Sequence, residues 1–361
     1  MTGILSRSET MFTRVAQALR RLGEVLGGPG LWALIAVLTV WSAVFATQLL
    51  VVGIIVGSIL ALGAIGLTLI YGILKFANFA HGDIMMLGAY IAFFVLTGRV
   101  LGERRIDEEL PRSLDSLPGA VDNIGDLTFG YGLILAALVA AVALAFLAVG
   151  LDRVIYRPLR RRGSGIVIFA IASLGIAIAM RSLMLIVWGP DPRVYVPGIH
   201  KAKEYPFDIV LKTDQIFTFA VAVALAALVY LLLFRTKLGK AMRAMSDNAD
   251  LALVSGINTE QIIVWTWVIG GVLVAVAGVL LALQAQLNPQ LGFVILLPLF
   301  AATILGGIGN PLGALVGAMV VGIAQEVSVE LFPPGYKPGV AFVILIVILL
   351  LRPRGLLGAK V

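Results

Sequence analysis

The chain has 361 residues, of which 60% are hydrophobic and only 13% charged, with mean hydropathy +1.04. A soluble domain carries about 25% charged residues, so this composition excludes a water-soluble globular protein and predicts an all-α, polytopic integral membrane protein. Cysteine is absent, which removes disulfides, thiol catalysis and thiolate metal sites. The net charge of +7 and pI near 9.8 are read as basic loops facing anionic lipid, not as a nucleic-acid surface.

Residues 1–30 carry Arg7, Arg14, Arg20 and Arg21, while Phe12, Val15, Leu19, Leu22 and Leu26 form a helical stripe. That pattern predicts an amphipathic cytoplasmic segment lying on lipid headgroups. Val44-Phe45-Ala46 loosely resembles a signal-peptide cleavage site, but the apolar run before it is long for that role. Residues 31–74 contain no ionisable side chain; as helix they extend ~66 Å, two crossings of a ~30 Å hydrocarbon core. Residues 261–325 are likewise uncharged and reach ~98 Å, about three crossings. Spans are predicted at 31–48, 51–72, 78–97, 130–150, 165–188, 216–234, 261–284, 292–308, 312–329 and 338–351. Several are short and one or two are expected to be broken or re-entrant, so the expected count is eight to ten. Residues 31–352 form the membrane domain and 353–361 a cytoplasmic tail.

Charge orients this bundle. With the amino terminus inside and ten crossings, 17 of the 27 basic residues fall in inner segments and nine in outer loops. The positive-inside rule favours that arrangement, with both termini and residues 235–260 cytoplasmic.

The densest polar patch within a span is Asn78-Phe79-Ala80-His81-Gly82-Asp83. The apolar stretch after it, 84–97, reaches only ~21 Å as helix, so the hexapeptide is expected to enter the membrane. Asn78, His81, Gly82 and Asp83 are therefore candidates for a translocation pathway, with an N-cap and interhelical hydrogen-bond cluster as the alternative. Arg181, Glu326 and Glu330 lie nearer span ends and are read as snorkelling or pairing groups. Gly309, Gly313 and Gly317 repeat at spacing four, as do Gly53 and Gly57, which predicts close helix packing.

Between two apolar runs lies a basic island. Leu238, Met242, Met245, Ala249 and Ala252 recur at steps of four and three, one stripe of a helix over 236–256. Lys240, Arg243, Asp247 and Asp250 fall off the stripe, and Arg243 and Asp247 can pair one turn apart. Gly256 suits a C-cap, and Asn258 an N-cap for the next helix. A short amphipathic helix is thus expected to offer one face to the aqueous phase or to lipid headgroups.

No Gly-x-x-x-x-Gly-Lys-Ser/Thr phosphate loop occurs, Gly306-Gly307-Ile308-Gly309 fails the dinucleotide fingerprint, and no metal or nucleophile-plus-base motif stands out. His81 and His200 form no ligand motif. Neither a cofactor nor catalysis by this chain is expected.

Six blocks together resemble one family. Gly66-Leu67-Thr68-Leu69-Ile70-Tyr71-Gly72-Ile73 is followed by Asn78-Phe79-Ala80-His81-Gly82-Asp83 and Gly88-Ala89-Tyr90. Then come Val154-Ile155-Tyr156-Arg157-Pro158-Leu159-Arg160, the Gly239-to-Asn258 segment, and Ala302-Thr303-Ile304-Leu305-Gly306-Gly307-Ile308-Gly309. In order, over roughly residues 50–358, they resemble branched-chain amino-acid permease subunits of ABC transporters, of the type carrying the Asn-Phe-Ala-His-Gly block. The resemblance implies an importer with a second homologous permease subunit, two cytoplasmic ATPases and an extracytoplasmic solute-binding protein. It makes 236–256 the coupling helix, with Leu238, Met242 and Met245 as apolar contact and Gly239, Lys240, Arg243 and Gly256 completing it. Related permeases move urea, short amides or aromatic acids, and an ATP-independent carrier or channel is the remaining transport alternative. The family commonly has Glu where this chain has Asp83, and residues 1–30 and 99–128 look like additions to the common core.

Because the chain lacks cysteine, topology is directly testable. Ser255→Cys is expected to react with a membrane-impermeant maleimide only after cells are opened; labelling of intact cells would invert the orientation.

Overall fold

The computed structural model describes residue 36 and residues 46–101, 107–109, 113–196, 198, 202–206, 209–352 and 354–357. The predicted segment 1–30, nearly all of the first span and most of the tail fall outside these residues, as does His200. Among the described residues, seven helices are long and apolar enough to cross a membrane and two apolar helices are shorter.

Helix α1 (Thr47–Leu74) is apolar on nearly all sides and mostly buried, as expected of a helix at the centre of a membrane bundle. It stops at Lys75, which takes the left-handed conformation (φ 58°) and donates its backbone N–H to the Tyr71 carbonyl. The chain then turns back into the bundle. His81 Nε2 lies 2.8 Å from the Gly63 carbonyl oxygen, eleven residues before the end of α1, or about 17 Å along its axis. Helix α2 (His81–Thr97) therefore starts against the middle of α1, and its 17 residues reach only ~26 Å. The polar hexapeptide lies inside the bundle, level with the middle of α1.

A hairpin of β1 (Arg99–Leu101) and β2 (Asp107–Glu109) follows. Helix α3 (Tyr131–Leu151) continues through a π-helical turn at Asp152–Tyr156 into the short α4 (Arg157–Arg161). Helix α5 (Ile166–Trp188) crosses back, and a second hairpin, β3 (Lys203–Tyr205) with β4 (Ile209–Leu211), leads to α6 (Thr213–Arg235). Two short helices, α7 (Lys237–Asp247) and α8 (Ala249–Val254), precede the long α9 (Thr259–Gln284). Helices α10 (Leu291–Gly306), α11 (Pro311–Val327) and α12 (Lys337–Leu351) complete the bundle. The two hairpins are the structure's addition to a chain read as purely helical; both lie in loops between spans.

Helix α10 is the second short span, with 16 residues. Its start touches that of α2: a Cβ placed on Gly82 would lie 2.1 Å from the Gly292 carbonyl oxygen. Two half-length helices thus begin inside the bundle, where irregular backbone is tolerated only because protein surrounds it.

Lipid gives helices no hydrophobic reason to associate, so close backbone approach supplies the attraction. The α1–α11 contact is the most extensive in the molecule. A Cβ on Gly53 would come 2.7 Å from Ile323 Cα, one on Gly57 3.1 Å from Met319 Cα, and one on Gly322 2.4 Å from Gly57 Cα. Gly313 meets Gly306 face to face between α11 and α10, and a Cβ on Gly317 would strike the Ala302 carbonyl oxygen at 2.1 Å. Gly309 differs from the packing role expected of it. It lies in the turn before α11 at φ +86°, and its nearest neighbour would be 3.9 Å from a Cβ.

Gly322→Val is expected to destabilise the protein by about 3 kcal/mol through overpacking, read from urea unfolding in detergent. Gly150→Ala, where a Cβ meets nothing within 4 Å, is expected to leave the midpoint unchanged or slightly raised.

Candidate translocation and coupling sites

Most polar groups of the hexapeptide find partners inside this chain. Asn78 Oδ1 accepts the Ala80 N–H at 3.1 Å, closing the turn that starts α2, and Phe79 N–H donates to Ser173 Oγ at 3.0 Å. The Asn78 amide nitrogen finds no hydrogen-bond partner among the described residues. Since a carbonyl only accepts, the contact with Gly63 makes Nε2 the protonated nitrogen of His81. Asp83 is wholly buried and receives a forked pair from Arg181, Nε to Oδ1 and Nη2 to Oδ2, each at 3.0 Å. The guanidinium lies 4.8 Å from the centre of the Phe293 ring.

This geometry divides the expected pathway group. Asn78, His81, Gly82 and Asp83 are brought together, but all are sealed within the subunit, so none lines an open surface of it. The group that reaches the surface is Arg181, whose side chain is 20% accessible. Pairing was foreseen for Arg181, yet its partner, 98 residues away, leaves no local trace in the sequence. Glu326 pairs with Lys337 at 2.6 Å, whereas Glu330 is simply exposed.

At the basic end, the helix expected over 236–256 is two helices. Asn248 breaks it with extended backbone, and its Oδ1 accepts the Leu251 N–H at 2.9 Å to start α8. Thr236 Oγ1 caps α7 by accepting the Gly239 N–H at 3.0 Å. Gly239 sits where a Cβ would lie 2.2 Å from the Leu232 carbonyl oxygen. The apolar stripe is not offered outward: Met242, Met245 and Ala252 are buried and Leu238 is half-buried, because α7 packs its stripe on α1, α6 and α9. Lys240, Arg243 and Asp247 face out. Arg243 lies 4.8 Å over the Phe234 ring instead of reaching Asp247. The exposed apolar surface is on α8, where Leu251, Leu253 and Val254 are 63%, 58% and 85% accessible. Gly256, at φ +83°, ends α8.

One side-chain contact ties this ledge to α1, and two more fix the start of α9 that follows it. Lys75 Nζ donates to the Ser246 carbonyl at 2.6 Å, and Asn258 Oδ1 caps α9 through the Gln261 N–H at 3.1 Å. Arg157 pairs with Glu260 at 3.0 Å, although both are largely exposed and such pairs contribute little.

Beside the ledge, Asp152 accepts from Arg160 (2.7 and 3.0 Å) and from Trp267 Nε1 (2.8 Å). Tyr156 stacks on Trp267 with ring centres 5.2 Å apart and meets Phe76 at 5.0 Å. The π-helical turn aims Asp152 and Tyr156 into this cluster, a common use of that irregularity. Sequence reasoning missed Asp152 and Trp267; the Tyr156-to-Arg160 block was the available signal.

At the opposite end, a polar cavity of about 330 Å³ lies among Tyr195, Lys212, Asp214, Gln284 and Gln286. Asp214 accepts from both the N–H and the hydroxyl of Thr128. Burial pushes the Tyr195 hydroxyl well above its ordinary range, with Tyr90 adding to the shift; it donates to the Ala89 carbonyl at 2.8 Å. Among the described residues no three His, Cys, Asp or Glu side chains converge as metal ligands.

The described residues thus form a multi-pass helical bundle with two short helices that start inside it and an amphipathic ledge at one end. A family model described as "Branched-chain amino acid transport system / permease component" matches residues 49–349, and the chain belongs to this family. It is 36% identical to the high-affinity branched-chain amino acid transport system permease protein BraD of Pseudomonas aeruginosa, over 86% of this chain and 95% of the relative. It is 32% identical to LivH of Escherichia coli (85% and 93% covered) and 30% to a probable LivH of Methanocaldococcus jannaschii (84% and 90%). Membership places the chain in the cell membrane as an ABC permease, and implies a paired permease, an ATPase and a solute-binding protein.

Trp267→Phe keeps the ring stack but leaves Asp152 short of one donor. It is expected to lower stability by about 1–3 kcal/mol, measured as the thermal midpoint of the purified protein.

Proposed function

We propose that the chain imports branched-chain amino acids handed to it by an extracytoplasmic solute-binding protein, as one of two permease subunits above two cytoplasmic ATPases. The observation that carries this reading is the family match, which runs unbroken through the ledge and both half-length helices. The ledge end of the bundle is cytoplasmic, in keeping with its excess of arginine and lysine.

The ledge couples the ATPase to the bundle. Its apolar stripe is already committed to α1, α6 and α9, so Met242 and Met245 act as the anchor, not the docking surface. Leu251, Leu253 and Val254 supply the apolar contact to the ATPase. Lys240 and Arg243 supply the polar rim, and Gly256 the turn into α9. ATP-driven closure of the ATPase pair pushes the ledge, and a ledge tied to Lys75 and to the start of α9 moves those helices as rigid bodies between two states. The polar hexapeptide braces the start of α2 at the centre of that motion.

Val254→Asp alters an exposed side chain and so is expected to insert normally. It should weaken co-purification of the ATPase and reduce amino-acid uptake at least tenfold, a loss of about 1.4 kcal/mol. Wild-type uptake by this variant would remove the docking role of α8. Permease alone in vesicles is expected to move no solute; uptake without ATPase would replace the importer reading with a carrier.

A further inference from the structure

Among the described residues, Arg181 is an ionisable group within a spanning helix whose side chain is not sealed. Arg181 lies on α5 seven residues before Trp188, about 10 Å in from that end of the helix. Its Nε and Nη2 are taken by Asp83, whereas Nη1 makes no hydrogen bond among the described residues. On the side of α5 that carries Arg181, Leu174 and Ile178 are exposed at 47% and 57%. A guanidinium near the centre of a lipid-facing helix costs about 3 kcal/mol even on the most lenient scale. A face that carries one therefore adjoins a partner subunit or a polar path.

We propose that Arg181 is the membrane-embedded contact for the carboxylate of the translocated solute, a small amino acid with an apolar side chain; this rests on the importer reading above. The Nη1 group donates to the carboxylate. Asp83 is buried behind the guanidinium and cancels its net charge, so the solute meets a hydrogen-bond donor without a full countercharge. Such a contact is favourable enough to draw a carboxylate off water and weak enough to release it, the balance that conduction requires. Phe293 is 57% accessible and holds the guanidinium against its ring. Its free area offers an apolar surface to an aliphatic side chain. Asp83 alone would repel a carboxylate; the arginine neutralises it and turns a donor toward the solute.

The test uses the complete importer in proteoliposomes, with leucine-loaded binding protein outside and ATP inside. Asp83→Asn with Arg181→Gln replaces the ion pair by a neutral pair of nearly the same size. The complex is expected to assemble and to retain ATP hydrolysis stimulated by the loaded binding protein, while leucine uptake falls at least tenfold. Leucine uptake within twofold of wild type overturns the proposal and leaves the pair a structural brace. If the double variant does not assemble, Arg181→Lys, which keeps the charge pair, is read instead. Uptake reduced threefold or more supports the contact, and unchanged uptake overturns it. A wild-type importer that takes up no leucine fails at the earlier step and overturns the substrate reading on which this one rests.

Discussion

Hydrocarbon offers no hydrogen bonds, so every polar group carried below the headgroups must be met by protein. The centre of this molecule is arranged around that constraint. The chain leaves α1, turns at Lys75 and re-enters to begin α2 halfway along its neighbour. That start brings a histidine, an asparagine and a carboxylate to a depth where no water can satisfy them. The Gly63 carbonyl on α1 meets the histidine, the Ala80 N–H meets the asparagine oxygen, and Arg181 on α5 meets the carboxylate. Removing one member of a buried ion pair costs about 3–5 kcal/mol, because the carboxylate of Asp83 would then be left buried without its countercharge.

The second constraint is attraction without a hydrophobic effect. Where α1 meets α11, and α10 meets α11, glycine lets backbone touch backbone. These contacts are short-ranged and intolerant of a single methyl, which makes the helices slide or rock as units instead of deforming. A pore that alternates between two arrangements needs that kind of stiffness.

The ledge follows the same logic at the aqueous boundary. An amphipathic helix of small and flexible apolar residues can lie on lipid, on a partner or on its own bundle, and periodicity alone does not choose. Here the bundle takes it, because Gly239 lets α7 sit directly on the carbonyls that end α6 and because Lys75 reaches Ser246. The face left for another protein then shifts one element along, to α8.

The sequence by itself determined the membrane class, the short apolar run that follows Asp83 and the identity of the family, because all of these are written in local composition and in blocks of adjacent residues. It also marked Asn78 to Asp83 as a polar segment entering the membrane, since the apolar remainder was too short to cross. Only the tertiary structure decided which polar groups are sealed and which is open. The Asp83–Arg181 pair, the Asp152–Trp267 bond and the burial of Met242 each join segments far apart in the chain. Periodicity reports which side of a helix is apolar; it carries no information on what that side will meet.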